Sequence, residues 1–96
     1  MATYVILASF TDQGIRNVKE SPDRLAAFKA MAEKMGVAMK STYYTVGAYD
    51  MVNVVEGSDE AVTSVLLKLG SLGNIRTQAL RAFSPEEIKA ITAKLP

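Results

Sequence analysis

Apolar residues alternate through positions 3–10, Thr-Tyr-Val-Ile-Leu-Ala-Ser-Phe. Tyr4, Ile6, Ala8 and Phe10 fall on one side, Val5 and Leu7 on the other. A period of two predicts a strand, and apolar residues on both sides predict that both of its faces are covered. Residues 11–20 show no period and read as a long polar loop, where two to six residues is the usual length before a helix. Ser21-Pro22-Asp23 then opens a helix. Ser21 is the expected cap, Pro22 suits the first helical position, and Asp23 favours the positive end of the helix dipole. Leu25, Phe28, Ala32 and Met35 follow at helical spacing, and Gly36 closes the helix.

Residues 37–46 and 49–56 read as two strands. Gly47-Ala48 between them predicts a tight hairpin, with the glycine free to take a positive φ. Ser58-Asp59-Glu60 starts a second helix, whose apolar stripe is Val62, Val65, Leu66 and Leu69 and which ends at Gly70-Ser71-Leu72-Gly73. Residues 74–83 form a fourth strand. Ser84-Pro85-Glu86-Glu87 is a capping box with proline at the first helical position, and it leads into a short last helix carrying Ile88, Ile91 and Leu95. The order is βαββαβ plus a C-terminal helix, within a single domain spanning 1–96. It predicts an α+β, ferredoxin-like fold, in which a four-stranded antiparallel sheet carries two main helices on one face.

Two helices cover one face only, so the other should be polar. It is not. Val5 and Leu7 of the first strand leave it apolar, and so does the third strand, with apolar residues on both sides (Val52 and Val54 against Met51 and Val55, Asn53 between). Something must cover this face. A twofold homodimer is the economical answer. The alternative is that the C-terminal helix folds across it, although three apolar residues would cover only part of a four-stranded sheet.

Composition narrows the chemistry. The 96 residues include 11 basic and 10 acidic side chains, for a net charge of +1. That balance argues against bulk attraction to nucleic acid or to an anionic membrane. No apolar run is long enough to span a bilayer, and no basic-then-apolar leader stands at the start, so a cytoplasmic location is expected. The chain has no cysteine and no histidine. The common zinc, haem and iron–sulfur ligand sets are therefore missing, and with them Ser–His and Cys–His nucleophile pairs. No metal and no cofactor is expected. Acid–base chemistry would fall to Asp, Glu, Tyr or Lys with displaced pKa values.

Gly47-Ala48-Tyr49-Asp50 resembles the Gly-x-Tyr-Asp signature of the GYD domain family. The segment from Gly14 to Pro22, the run Gly70-Ser71-Leu72-Gly73-Asn74-Ile75-Arg76-Thr77 and Leu80-Arg81-Ala82-Phe83 are similar to the rest of that family's pattern. The resemblance covers essentially the whole chain in order. It implies a small bacterial or archaeal protein with a dimeric α+β barrel fold, and it implies no particular reaction. A second resemblance links Val46 to Asp50, the strand after it and the helix start at Ser58 to the effector-binding domain of Lrp/AsnC-type regulators. Those domains pair through their sheets and bind amino acids at subunit interfaces. The helix-turn-helix of such regulators is absent here, so the likeness is to the ligand-binding module alone.

The candidate site residues each carry two readings. Asp50 is a ligand acceptor or general base beside Tyr49, or else a carboxylate that takes backbone N–H groups and fixes the hairpin register. Tyr43, Tyr44 and Tyr49 suit a pocket wall or a dimer seam, and adjacent Tyr43 and Tyr44 must face opposite sides. Arg16, Lys19 and Arg24 sit where a carboxylate or phosphate could be received, or pair with Asp12, Glu20 and Asp23. Asn17 reads as a loop-fixing residue or a ligand contact. Arg76 and Arg81 face opposite sides of the last strand, and either suits an interface. The five methionines fill core and seam.

These readings converge on a cofactor-free homodimer, or a larger homo-oligomer built from it, that binds a small anionic or aromatic molecule between sheet and helices or at the subunit interface. The expected site lies where the Gly47–Asp50 turn meets residues 11–20. The alternatives are a cofactor-independent enzyme of the dimeric α+β barrel type, monooxygenase-like, using Tyr49 or Asp50, and a purely structural assembly module.

Overall fold

The first strand lies at the centre of the sheet, between the third and the fourth. The computed structural model describes residues 1–96. It runs β1 (Ala2–Phe10), α1 (Asp12–Arg16), a 3₁₀ turn (Val18–Glu20), α2 (Ser21–Lys34), β2 (Ala38–Tyr44), β3 (Met51–Gly57), α3 (Asp59–Ser71), β4 (Ile75–Ala82) and α4 (Pro85–Thr92). The strand order is β2-β3-β1-β4, antiparallel throughout. With α2 and α3 as the two crossovers, this is the ferredoxin-like α+β fold.

Register sorts the side chains. β1 pairs Leu7 with Val52 on one side and with Gln78 on the other, and Ile6 with Asn53 and Ala79. The even positions of β1 face the helices: Ile6 and Val55 join Ala32, Val37, Val62 and Val65 in the main core, and Ala8, Met51 and Ile75 form a second cluster. The odd positions line the opposite face with Val52, Val54, Tyr43 and Leu80, and no helix lies over it. Only 13 of 96 residues are buried, which is why the core is small: it is built from one face of the sheet.

Residues 11–20 differ from the expected loop. They fold into α1 and the 3₁₀ turn, each too short to display an apolar stripe that a period could reveal. Thr11 caps α1 by accepting the Gly14 N–H at 3.1 Å, and its hydroxyl donates to the Gly73 carbonyl at 2.6 Å. The Thr11 N–H donates to the Asn74 carbonyl, and Gln13 Nε2 reaches Asn74 Oδ1 at 3.0 Å. The segment is thus fastened to the α3–β4 connection. Gly14 sits so close that a Cβ there would lie 2.0 Å from the Asn74 carbonyl oxygen.

Ser21 is not the cap of α2. It is the first helical residue, preceded by Glu20 in helical conformation, and it is buried. Its hydroxyl bonds the Tyr44 hydroxyl at 2.8 Å, tying the start of α2 to the end of β2. The β2–β3 connection is also longer than a two-residue hairpin, spanning 45–50, with the Thr45 N–H donating to the Asp50 carbonyl at 2.8 Å. Gly47 takes φ 153°, a region closed to side-chain-bearing residues.

α4 does not cover the open face. None of its residues is buried, and Ile88, Ile91 and Leu95 are 43, 47 and 66% exposed. The radius of gyration, 14.7 Å, exceeds the roughly 12.5 Å of a compact chain of this length. The capping box does form, with Ser84 Oγ accepting the Glu87 N–H and Glu87 Oε1 accepting the Ser84 N–H at 2.8 Å. A helix that starts well and packs against little is what these residues produce. No helix is long and apolar enough to cross a membrane.

Candidate functional site

The sheet separates the candidate residues into two groups. Tyr43 and Tyr49 belong to the open face, Arg76 departs from that face at the β4 edge and turns its guanidinium toward α3, and Arg16, Asn17, Lys19 and Arg24 lie on the helix side. Asp50 stands between them at the end of the sheet.

On the open face, Tyr43 pairs with Val52 in register and is 67% exposed. Tyr49 leaves the turn and sends its hydroxyl to Gln78 Oε1 of β4 at 3.0 Å, spanning the sheet end, and its carbonyl accepts the Thr45 hydroxyl at 2.6 Å. Arg76 pairs with Ser9 and is exposed, its guanidinium reaching the neighbourhood of Gly70 in α3. Arg81, on the other side of β4, stacks 4.3 Å from the Phe83 ring centroid and 5.8 Å from that of Tyr4. The Tyr4 hydroxyl donates to Asp59, and that bond holds the phenol pKa above its ordinary 10.0.

Asp50 is committed to backbone. Its Oδ2 accepts the Phe10 N–H at 2.8 Å, and its own N–H donates to the Ala8 carbonyl at 2.8 Å. The partner strand is β1, not the hairpin itself.

On the helix side lies a cavity of about 230 Å³, open to the surface, between α2, α3 and the sheet. Its wall is mostly apolar, with Phe28 and Met31 of α2 facing Met39, Met51 and Ile75. Its polar lining comes from Ser21, Arg24, Asn53 and Asn74. Arg24 Nη1 donates to the Asn17 carbonyl at 3.1 Å and meets Glu20 Oε2 at 3.5 Å. Arg24 Nη2 is buried and has no hydrogen-bond partner. Asn17 anchors this corner, with Nδ2 donating to the Gln13 carbonyl at 3.0 Å. Arg16 and Lys19 point to solvent and make no ion pair; the Glu20–Arg24 contact is the sole one within 4.0 Å. Neither Tyr49 nor Asp50 touches the cavity.

Asn53 was not among the sequence candidates for a site. It is 8% exposed, with Oδ1 accepting the Thr42 hydroxyl at 2.8 Å. Its signal was present in the sequence as the single amide in the run Met51-Val52-Asn53-Val54-Val55. No group of three or more Asp, Glu, His or Cys side chains is placed to hold a metal ion.

Comparison with known proteins agrees with the segment pattern. The family model described as GYD domain matches residues 4–92. A protein of Thermus thermophilus named glutamine synthetase and cystathionine beta-lyase binding protein is 34% identical over 92 residues, covering 94% of this chain and 97% of the relative.

Proposed function

The chain belongs to the GYD domain family, and from that premise we propose that it is a non-catalytic binding module. In this reading it forms a homodimer through the open sheet face, docks on an enzyme as its protein partner, and holds a small molecule in the helix-side cavity. Its expected place is the cytoplasm.

The observation that carries the reading is the uncovered apolar face. Val5, Leu7, Val52 and Val54 are only half-buried there, and Leu80 and Tyr43 are exposed. Strand spacing and rise make a four-stranded face roughly 19 by 23 Å, about 440 Å² per copy. Two such faces fall short of the roughly 1,200 Å² at the lower end of stable interfaces. The free apolar side of α4 is available to supply the remainder by lying against the partner copy. The class of protein partner is taken from the Thermus thermophilus relative, whose name records binding to two enzymes.

The cavity supports binding over catalysis. Its wall holds no carboxylate, and its one hydroxyl side chain, Ser21, is engaged with Tyr44. The enzyme alternative needs Tyr49 or Asp50 in a pocket, and both lie elsewhere.

Light scattering after size exclusion tests the assembly, with a mass near twice 10.4 kDa expected for the native chain and a monomer for the Leu7→Asp, Val54→Asp variant. A native chain that elutes as a monomer at all concentrations sinks the dimer. Co-elution with purified glutamine synthetase and cystathionine beta-lyase of the same source tests the partner, and failure with both removes that half.

A further inference from the structure

We propose that the helix-side cavity takes an apolar molecule bearing a single carboxylate, anchored by Arg24 and oriented by Asn53. This deepens the ligand half of the reading above and rests on it.

Three observations carry it. The first is size. An engineered apolar cavity of roughly 150 Å³ binds benzene, and this one has about 230 Å³. There is room for a ring with a short arm, or for a short aliphatic chain. The second is the wall, where Phe28, Met31, Met39 and Met51 offer an apolar, polarizable surface and the partly exposed Arg24 is the one charged side chain. The third is the unpartnered donor. A buried guanidinium nitrogen with nothing to bond is costly, and a carboxylate is the group that removes the cost with charge and geometry together.

Arg24 is positioned for this. Nη1 is held by the Asn17 carbonyl, while Nη2 is buried and unpartnered on a partly exposed side chain that lines the cavity. Glu20 is the intramolecular rival for the guanidinium. Its contact is long, at 3.5 Å, and its side chain is 73% exposed, so it competes weakly. Asn53 uses Oδ1 for Thr42 and lines the same cavity, so its Nδ2 is left to a polar atom of the ligand. A few polar donors in an otherwise apolar chamber select an amphipathic acid over a sugar, a nucleotide or a polyanion.

The test is a titration of the ¹⁵N-labelled full chain, followed by amide shifts, with hydrocinnamate and with hydrocinnamyl alcohol, which share one carbon skeleton. The acid is expected to bind about tenfold more tightly than the alcohol, the equivalent of about 1.4 kcal/mol, with shifts centred on Arg24, Phe28 and Asn53. Arg24→Met erases that preference, Arg24→Lys keeps part of it, and Glu20→Gln strengthens acid binding severalfold. The Glu20→Gln arm stands even where an Arg24 variant loses its fold. Equal binding of acid and alcohol, unaffected by Glu20→Gln, overturns the ligand class but leaves the cavity a ligand site. Absence of shifts at cavity residues with either probe overturns the ligand site itself.

Discussion

The Asp50 carboxylate accepts the Phe10 backbone N–H at 2.8 Å, across forty positions of sequence. The last β1–β3 pair is Ala8 with Met51. Asp50 therefore extends the ladder beyond its end and locks the departure of the chain from β1 toward α1. The signature residue of the turn thus sets the register of the central strand.

Asp50→Ala leaves that N–H without its charged acceptor. The loss is expected to be about 1.5–3 kcal/mol, the range for hydrogen bonds to charged groups. Asp50→Asn keeps a neutral acceptor and is expected to cost about half as much. Urea denaturation of both variants measures the difference. Equal losses would show that the charge contributes nothing.

Gly14→Ala drives a Cβ into the Asn74 carbonyl and brings it to 3.1 Å from Phe10 Cδ1. A backbone oxygen cannot rotate away, so α1 must shift off the α3–β4 connection. Overpacking of this kind costs about 1–3 kcal/mol. In a domain of this size each kcal/mol lowers Tm by about 4–8 °C. Differential scanning calorimetry reads it, and an unchanged Tm would mean that α1 packs elsewhere.

α4 is expected to fray in acid before the sheet is affected. The Ser84 backbone N–H, then the Ser84 side chain, hold the Glu87 carboxyl below its ordinary 4.5. A carboxyl depressed in the folded chain stabilises above its unfolded pKa and loses that contribution as pH falls through the folded value. Amide exchange across 85–92 should therefore accelerate as pH drops below about 4.5, after correction for the intrinsic pH dependence of exchange. Ser84→Ala should show the faster exchange at neutral pH already. Identical protection at both pH values would exclude the capping box as the cause.

Removal of residues 85–96 should leave the sheet and its two crossover helices folded, since none of α4 is buried. If the chain pairs as proposed, the same truncation should weaken that pairing and shift dissociation to higher concentration. Sedimentation velocity over a dilution series separates the two effects. A truncated chain that pairs as tightly as the native one removes α4 from the interface.

Much of this was legible along the chain. The alternation in 3–10 and the stripe Val62, Val65, Leu66, Leu69 identified their elements because a long element repeats its period several times. α1 and the 3₁₀ turn escaped because five and three residues complete too little of a helical period. Ser21 departs from the expected cap for a related reason: Ser-Pro at a helix start is a strong local signal, but Tyr44 claims the hydroxyl from a distant strand. Arg24 was recognisable as a candidate anion contact, yet its unpartnered nitrogen depends on how α2 lies over Met51 and Asn53.

The sequence by itself determined the order of the four strands, the two crossover helices and the last helix, the apolar character of both sheet faces and the capping of α4, because each depends on spacing within a short stretch. Only the tertiary structure decided that Tyr49 and Arg24 lie on opposite sides of the sheet, that Asp50 serves β1, and that a cavity remains beneath α2. Those are relations between residues dozens of positions apart, set by register and by how closely helices approach the sheet, and neither quantity is written in any local pattern.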